Sequence, residues 1–165
     1  MRVMNYVAKP FAALTFALMA TAAFAEAPAA KPPVSVELSA YQISVNQKGE
    51  SVAKPVSKVK PSDVIEYRAI YTNNTAKAVK GLVATLPIPA DTQFLAKSSP
   101  AQAQASTDGV NFAAMPLKRK VGSQTVNVPL QDYRALRWTI AELPAGKSIT
   151  VTAQTRVNSA SAVAQ

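Results

Sequence analysis

From Val64 to Thr72 the chain alternates. Ile65, Tyr67, Ala69 and Tyr71 fall on one side, and Glu66, Arg68 and Thr72 on the other. A period of two suits a strand with one face against a core and one face in water, and it scatters apolar groups around a helix. This segment is therefore a half-buried strand of an antiparallel sheet, and the rest of the chain must supply strands to cover it. Asn73-Asn74-Thr75 turns the chain, Ala78 to Leu86 returns as a second strand, and Pro87-Ile88-Pro89 closes it. Proline brings no amide to a ladder, so the strand ends there.

Short apolar-alternating runs recur on both sides of this unit. Val34 to Leu38 reads as a first strand, resumed by Tyr41, Ile43 and Val45 after a bulge at Ser39-Ala40. Asn46 to Gly49 is a turn, and Gly49 to Pro61, with Lys54, Lys58 and Lys60 among prolines, reads as an edge strand or extended loop. Thr92 to Lys97 is another strand. Gln102 to Met115 reads as a hairpin about Asp108-Gly109, a pair that tolerates the positive φ of a tight turn. Lys118-Arg119-Lys120 falls in a basic connection, and Thr125 to Val128 is a minor strand. Leu136, Trp138 and Ile140, then Ile149, Val151 and Ala153, alternate on either side of the turn Leu143 to Lys147. Seven to nine such strands, with no convincing helix among them, predict an all-β, antiparallel β-sandwich over residues 34–157. Its core is expected around Trp138, Tyr67, Tyr71, Phe94, Leu136 and Ile149.

The first 25 residues stand apart. Arg2 and Lys9 precede an uncharged run, Phe11 to Phe24, and Ala23-Phe24-Ala25 places small residues where a signal peptidase looks. A run of about 14 residues is short of the roughly 20 needed to span a bilayer, so a cleaved export signal over 1–25 is expected. An Ala/Pro spacer over 26–33 follows, and residues 158–165 make a small, polar, flexible tail. Removing 25 of the 165 residues leaves 140, enough for one domain. That chain keeps 16 Lys and Arg against 9 Asp and Glu once Arg2 and Lys9 are gone, a net charge near +7. With no cysteine, the core alone must hold the domain. The composition fits a bacterial periplasm or exterior.

The side chains that usually carry chemistry are scarce. The chain has no histidine, hence no Ser-His pair and no imidazole base or ligand. Asp63, Asp91 and Asp108 stand beside turn residues, where a carboxylate ordinarily caps backbone amides. Asp108 to Asn111 offers too few oxygens for calcium, which takes 6–8. Ser57-Lys58-Val59-Lys60 matches S-x-x-K, but that chemistry needs a helix start, and Pro55 and Pro61 bracket the match. No catalytic residue, cofactor or metal is expected. The basic residues Lys54, Lys58, Lys60, Lys118, Arg119 and Lys120 are candidate contacts for an anionic surface. Without interleaved aromatics they do not indicate specific nucleic-acid binding.

Three segments resemble the conserved repeat domain family DUF11 of bacterial surface and envelope proteins. Ser62 to Tyr67, running on to Thr72-Asn73, is similar to the family's opening strand. Leu86 to Ala90 and Thr92 to Phe94 resemble its proline-centred corner, and Leu136 to Ile140 with Leu143 to Thr152 resemble its closing hairpin. The likeness covers roughly 60–157. Leu86 stands where the family usually has an acidic residue, and Asn74-Thr75 where a glycine usually follows asparagine. The resemblance implies an immunoglobulin-like sandwich serving as a spacer, assembly or adhesion module with nothing catalytic. With the export signal and the strand spacing, the expected role is a non-catalytic structural or protein-interaction module that meets an envelope protein at an exposed sheet edge. The alternative is a basic binder of lipopolysaccharide or acidic polysaccharide.

Overall fold

The computed structural model describes residues 31–159. The expected export signal, most of the spacer and the end of the tail lie outside them. Eleven strands run in chain order: β1 Val34–Val45, β2 Ser51–Pro55, β3 Val64–Asn73, β4 Val79–Pro87, β5 Thr92–Ser99, β6 Gln104–Ser106, β7 Ala113–Ala114, β8 Lys118–Val121, β9 Gln124–Asn127, β10 Ala135–Leu143 and β11 Ser148–Val157. They form a five-stranded sheet in the order β2-β1-β3-β11-β5 and a four-stranded sheet in the order β4-β10-β6-β7. All pairings are antiparallel, and β4 packs over β3 and β11. The expected β-sandwich is the architecture found. Eleven strands exceed the seven to nine expected, and three of the eleven are short pieces: the two-residue β7 and the two four-residue strands of the β8–β9 hairpin, which lies outside both sheets.

β3 is the axis, paired along its length with β1 on one side and β11 on the other. Its alternation works as the sequence predicts: Ile65, Ala69 and Tyr71 are buried, and Tyr67 packs partly buried at the core's margin. Trp138 and Leu136 are buried opposite, on β10, and Phe94 is buried in the same sheet as β3, on β5; the indole donates to the Pro100 carbonyl at 2.7 Å. Ile149 is at the margin rather than the heart. Tyr133, absent from the expected core, is the largest fully buried side chain. Its ring stacks on Phe94 and its hydroxyl accepts the Leu117 amide at 2.8 Å.

Four expectations need correction. First, β1 has no bulge: Val34 to Ile43 pair with β3 in unbroken register. The change in apolar phase after Ala40 arises because Val36 and Leu38 share the inner face with Tyr71 and Ala69, while Tyr41 sits on the outer face beneath the Arg68 guanidinium at 4.1 Å. Second, Lys118-Arg119-Lys120 is a strand, β8, turned back onto β9 at Gly122-Ser123. Third, Asp108-Gly109 is not a two-residue turn, since pairing stops at Ala105–Ala113 and a longer loop joins β6 to β7. Fourth, neither β3–β4 nor β10–β11 is a hairpin. Both connections cross from one sheet to the other.

One side chain ties these two crossings together. Asn73 is fully buried, and its amide nitrogen donates to the carbonyls of Lys77 (2.8 Å), Leu143 (3.0 Å) and Pro144 (3.2 Å). Its amide oxygen accepts from the backbone and hydroxyl of Thr75. Its backbone completes the joint, donating to Lys147 and accepting from Gly146, a turn residue at φ +66°. A buried polar group left unpaired costs about 1–3 kcal/mol, and removing this amide strands several at once. Asn73→Ala is therefore expected to lower the unfolding free energy by at least about 2 kcal/mol in urea titration. Thr155 tests the opposite sign, because its buried hydroxyl has no partner among the described residues. Thr155→Val is expected to raise stability by about 1 kcal/mol.

Candidate functional site

A sheet ends in backbone groups that want partners, so the margins of this sandwich are where it can meet another chain. Most are blunted. β2 is short and carries Lys54 and Pro55. β5 pairs with β11 through an irregularity at Gln154/Thr155, places Ala96 at φ +56°, and has the 3-10 turn Leu130–Asp132 packed against it. β7 has two residues. β4 is longer, but the Tyr71 hydroxyl reaches across from β3, accepting the Thr85 amide and donating to the Thr85 carbonyl, both at 2.8 Å. A tyrosine side chain thus occupies that margin at Thr85, near its Pro87 end, and Gly81 at φ +63° makes the other half irregular.

β1 is different. It has 12 residues and β2 has 5, so β2 covers only Tyr41 to Val45. The Pro33 carbonyl accepts the Asn74 amide, toward β3, and the Ala40 carbonyl accepts the Val56 amide, away from it. Backbone groups alternate sides along a strand, so Val34, Val36 and Leu38 aim theirs outward, where no strand among the described residues meets them. Val36 and Leu38 belong to the inner face but are 49% and 65% exposed, because the four-stranded sheet stops at β4 and leaves β1 overhanging. Beside them lies a cavity of about 330 Å³ lined by Leu38, Ala40, Tyr67, Leu86, Pro87 and Pro89, with Arg68 and Ser39 contributing. Burial against these groups holds the Tyr67 phenol above its ordinary pKa. Sequence reasoning missed this site because it divided β1. The signal was the apolar phase Val34-Val36-Leu38 beside a much shorter neighbour.

The six basic candidates fall into two separate groups. Lys54 lies on β2 opposite Gln42, on the inner face, and Lys58 and Lys60 follow in the exposed loop before β3. Lys118 and Lys120 share one exposed face of β8, while Arg119 points the other way to Asp132 at 3.3 Å. Asp132 belongs to the turn packed on β5, at the end of the sheet opposite β2. The structure thus sets the two groups on opposite flanks rather than in one patch.

The aspartates are mostly structural, as expected. Asp63 accepts the Lys60 amide at 2.8 Å. Asp91 holds no amide through its carboxylate among the described residues. Ser57 to Lys60 lie in a loop, not at a helix start. Asp108 organises its loop: one oxygen accepts the Asn111 side-chain amide at 2.7 Å, and the other accepts the Asn111 and Val110 backbone amides at 2.8 Å each and the Ser106 hydroxyl at 2.7 Å. These donors, the Asn111 side chain foremost, hold its carboxyl well below the usual carboxylate range.

Comparison of the chain with protein-family models, with curated proteins and with solved structures finds no match.

The Asp108 loop sets a pH dependence with a defined sign. A carboxyl whose folded pKa is depressed stabilises the fold above its unfolded value of about 3.9, and that contribution fades as pH falls below it. Thermal melts should show Asp108→Ala below the native protein at pH near 7, with the gap closing as pH drops from about 4 toward 2. A gap that stays constant over that range would contradict the assignment.

Proposed function

We propose that this chain is an exported, non-catalytic interaction module of the bacterial envelope, an immunoglobulin-like sandwich akin to the DUF11 domains it resembles in sequence. The observation that supports it best is the outer half of β1. Three residues present backbone groups that no strand among the described residues meets, beside exposed Val36 and Leu38, on a fold whose other margins are blunted. The leader-like first 25 residues support the compartment.

A second reading has its own support in the exposed β8 face. Lys118 and Lys120 stand side by side on a hairpin outside both sheets, a placement suited to an anionic envelope polymer such as lipopolysaccharide.

A photoreactive group placed at Leu38, and separately at Lys120, separates the two in intact envelopes. The interaction reading expects a specific, identifiable protein crosslinked from Leu38 and little from Lys120. Failure to capture any protein from Leu38 would sink it. Raising salt from about 0.01 to about 0.15 M shortens the screening length from about 30 to about 8 Å. Retention on an anionic polysaccharide should collapse over that range if the second reading holds, while an edge contact keeps most of its affinity.

A further inference from the structure

The open half of β1 also restricts what can fill it. Building on the interaction-module reading, we propose that Val34 to Ala40 accepts one isolated, extended peptide segment of a partner, with apolar side chains at alternate positions and acidic residues between or beside them.

The backbone comes first. Val34, Val36 and Leu38 each direct an amide and a carbonyl outward, a spacing that only another extended main chain satisfies in full. The slot is bounded at both ends. On one side Pro55 ends β2 and Val56 takes the Ala40 carbonyl. On the other, Pro32 and Pro33 are pinned by Asn74, whose side chain donates to the Pro32 carbonyl at 2.9 Å. A second copy of the chain fits this window poorly. Were its β1 to pair here antiparallel, its own β2, lying on the same edge, would run into Lys31-Pro32-Pro33. A lone strand brings no such neighbour.

The side chains set the chemistry. A strand in this slot sits beside Val36 and Leu38, so its inward residues gain apolar cover and extend the wall of the cavity between Leu38 and Pro89. Lys54 stands on the same face at the slot's Pro55 end. The chain as a whole carries a net charge of +9. Both favour an acidic segment and disfavour a basic one.

The test uses the whole chain and a blocked heptapeptide alternating valine and glutamate. Hydrogen exchange, followed by NMR, reads the amides of Val34, Val36 and Leu38. At peptide concentrations about ten times Kd these three should slow about tenfold. Val36→Pro removes an outward amide that β3 does not use, and should weaken binding about fivefold or more. Because a proline variant can perturb β1 itself, the same peptide N-methylated on alternate amides provides a control on the native protein and should not bind. A valine–lysine version should bind much more weakly than the acidic one. Equal binding of the methylated or the lysine peptide, or no slowing at the three amides, overturns the proposal. So does slow exchange there before peptide is added, which would mean that the chain's own residues before Lys31 fill the slot. Peptide-driven dimerisation overturns it as well. Slowing on β2 or β4 instead overturns this site alone, leaving the interaction reading to stand or fall on the envelope crosslink from Leu38.

Discussion

The two-layer arrangement depends on the buried amide of Asn73. Both chain crossings at this end of the sandwich, β3 to β4 and β10 to β11, pass within its reach, and it supplies the hydrogen bonds that their turns cannot make for themselves. A chain that leaves one sheet for another interrupts two ladders and exposes carbonyls at the bend. Inside a protein those carbonyls must be met. One planar amide meets three of them and is met in turn by Thr75. The apolar faces supply most of the free energy of layering, but they do not say which strand must cross. The asparagine does.

The same economy recurs at the margins. Tyr71 buries its ring in the core and spends its hydroxyl on the backbone of β4, so one residue both fills the interior and occupies a sheet edge. The 3-10 turn at Leu130–Asp132 covers β5 while placing Tyr133 on Phe94 and Asp132 near Arg119. Against these devices the outer half of β1 stands out for having none among the described residues.

What the sequence made legible was decided by periodicity. β3 and β11 each bury residues of one phase, and their faces follow from it. β1 changes phase because Tyr41 leaves the core side for a place under Arg68, and a reader of alternation alone sees a break where the backbone has none. Tyr133 lies in a segment too short to show any period, and its burial comes from contacts distant in sequence, with Leu117 and Phe94. The β8 strand carries three consecutive cations and no apolar phase, so only Gly122-Ser123 marked its turn. That adjacent strands pair within a sheet is the common rule, and here the two turns that look most like hairpins break it. The candidate site escaped for the same reason as the bulge. An unpaired edge is a difference between the lengths of two neighbours, and neither length is visible in a strand divided in two.

The ladders on either side of β3 also decide how the domain bears load. Val34 lies opposite Asn73 at one end of β3, and Val157 lies beyond Arg156, which faces Val64 at the other. Tension between the two chain ends therefore pulls β1 and β11 lengthwise along β3 in opposite directions, so the hydrogen bonds of both ladders are sheared together instead of unzipped one by one. A domain loaded this way yields only when many bonds fail at once, which gives it the mechanical character of a stiff link between whatever is attached before Val34 and after Val157.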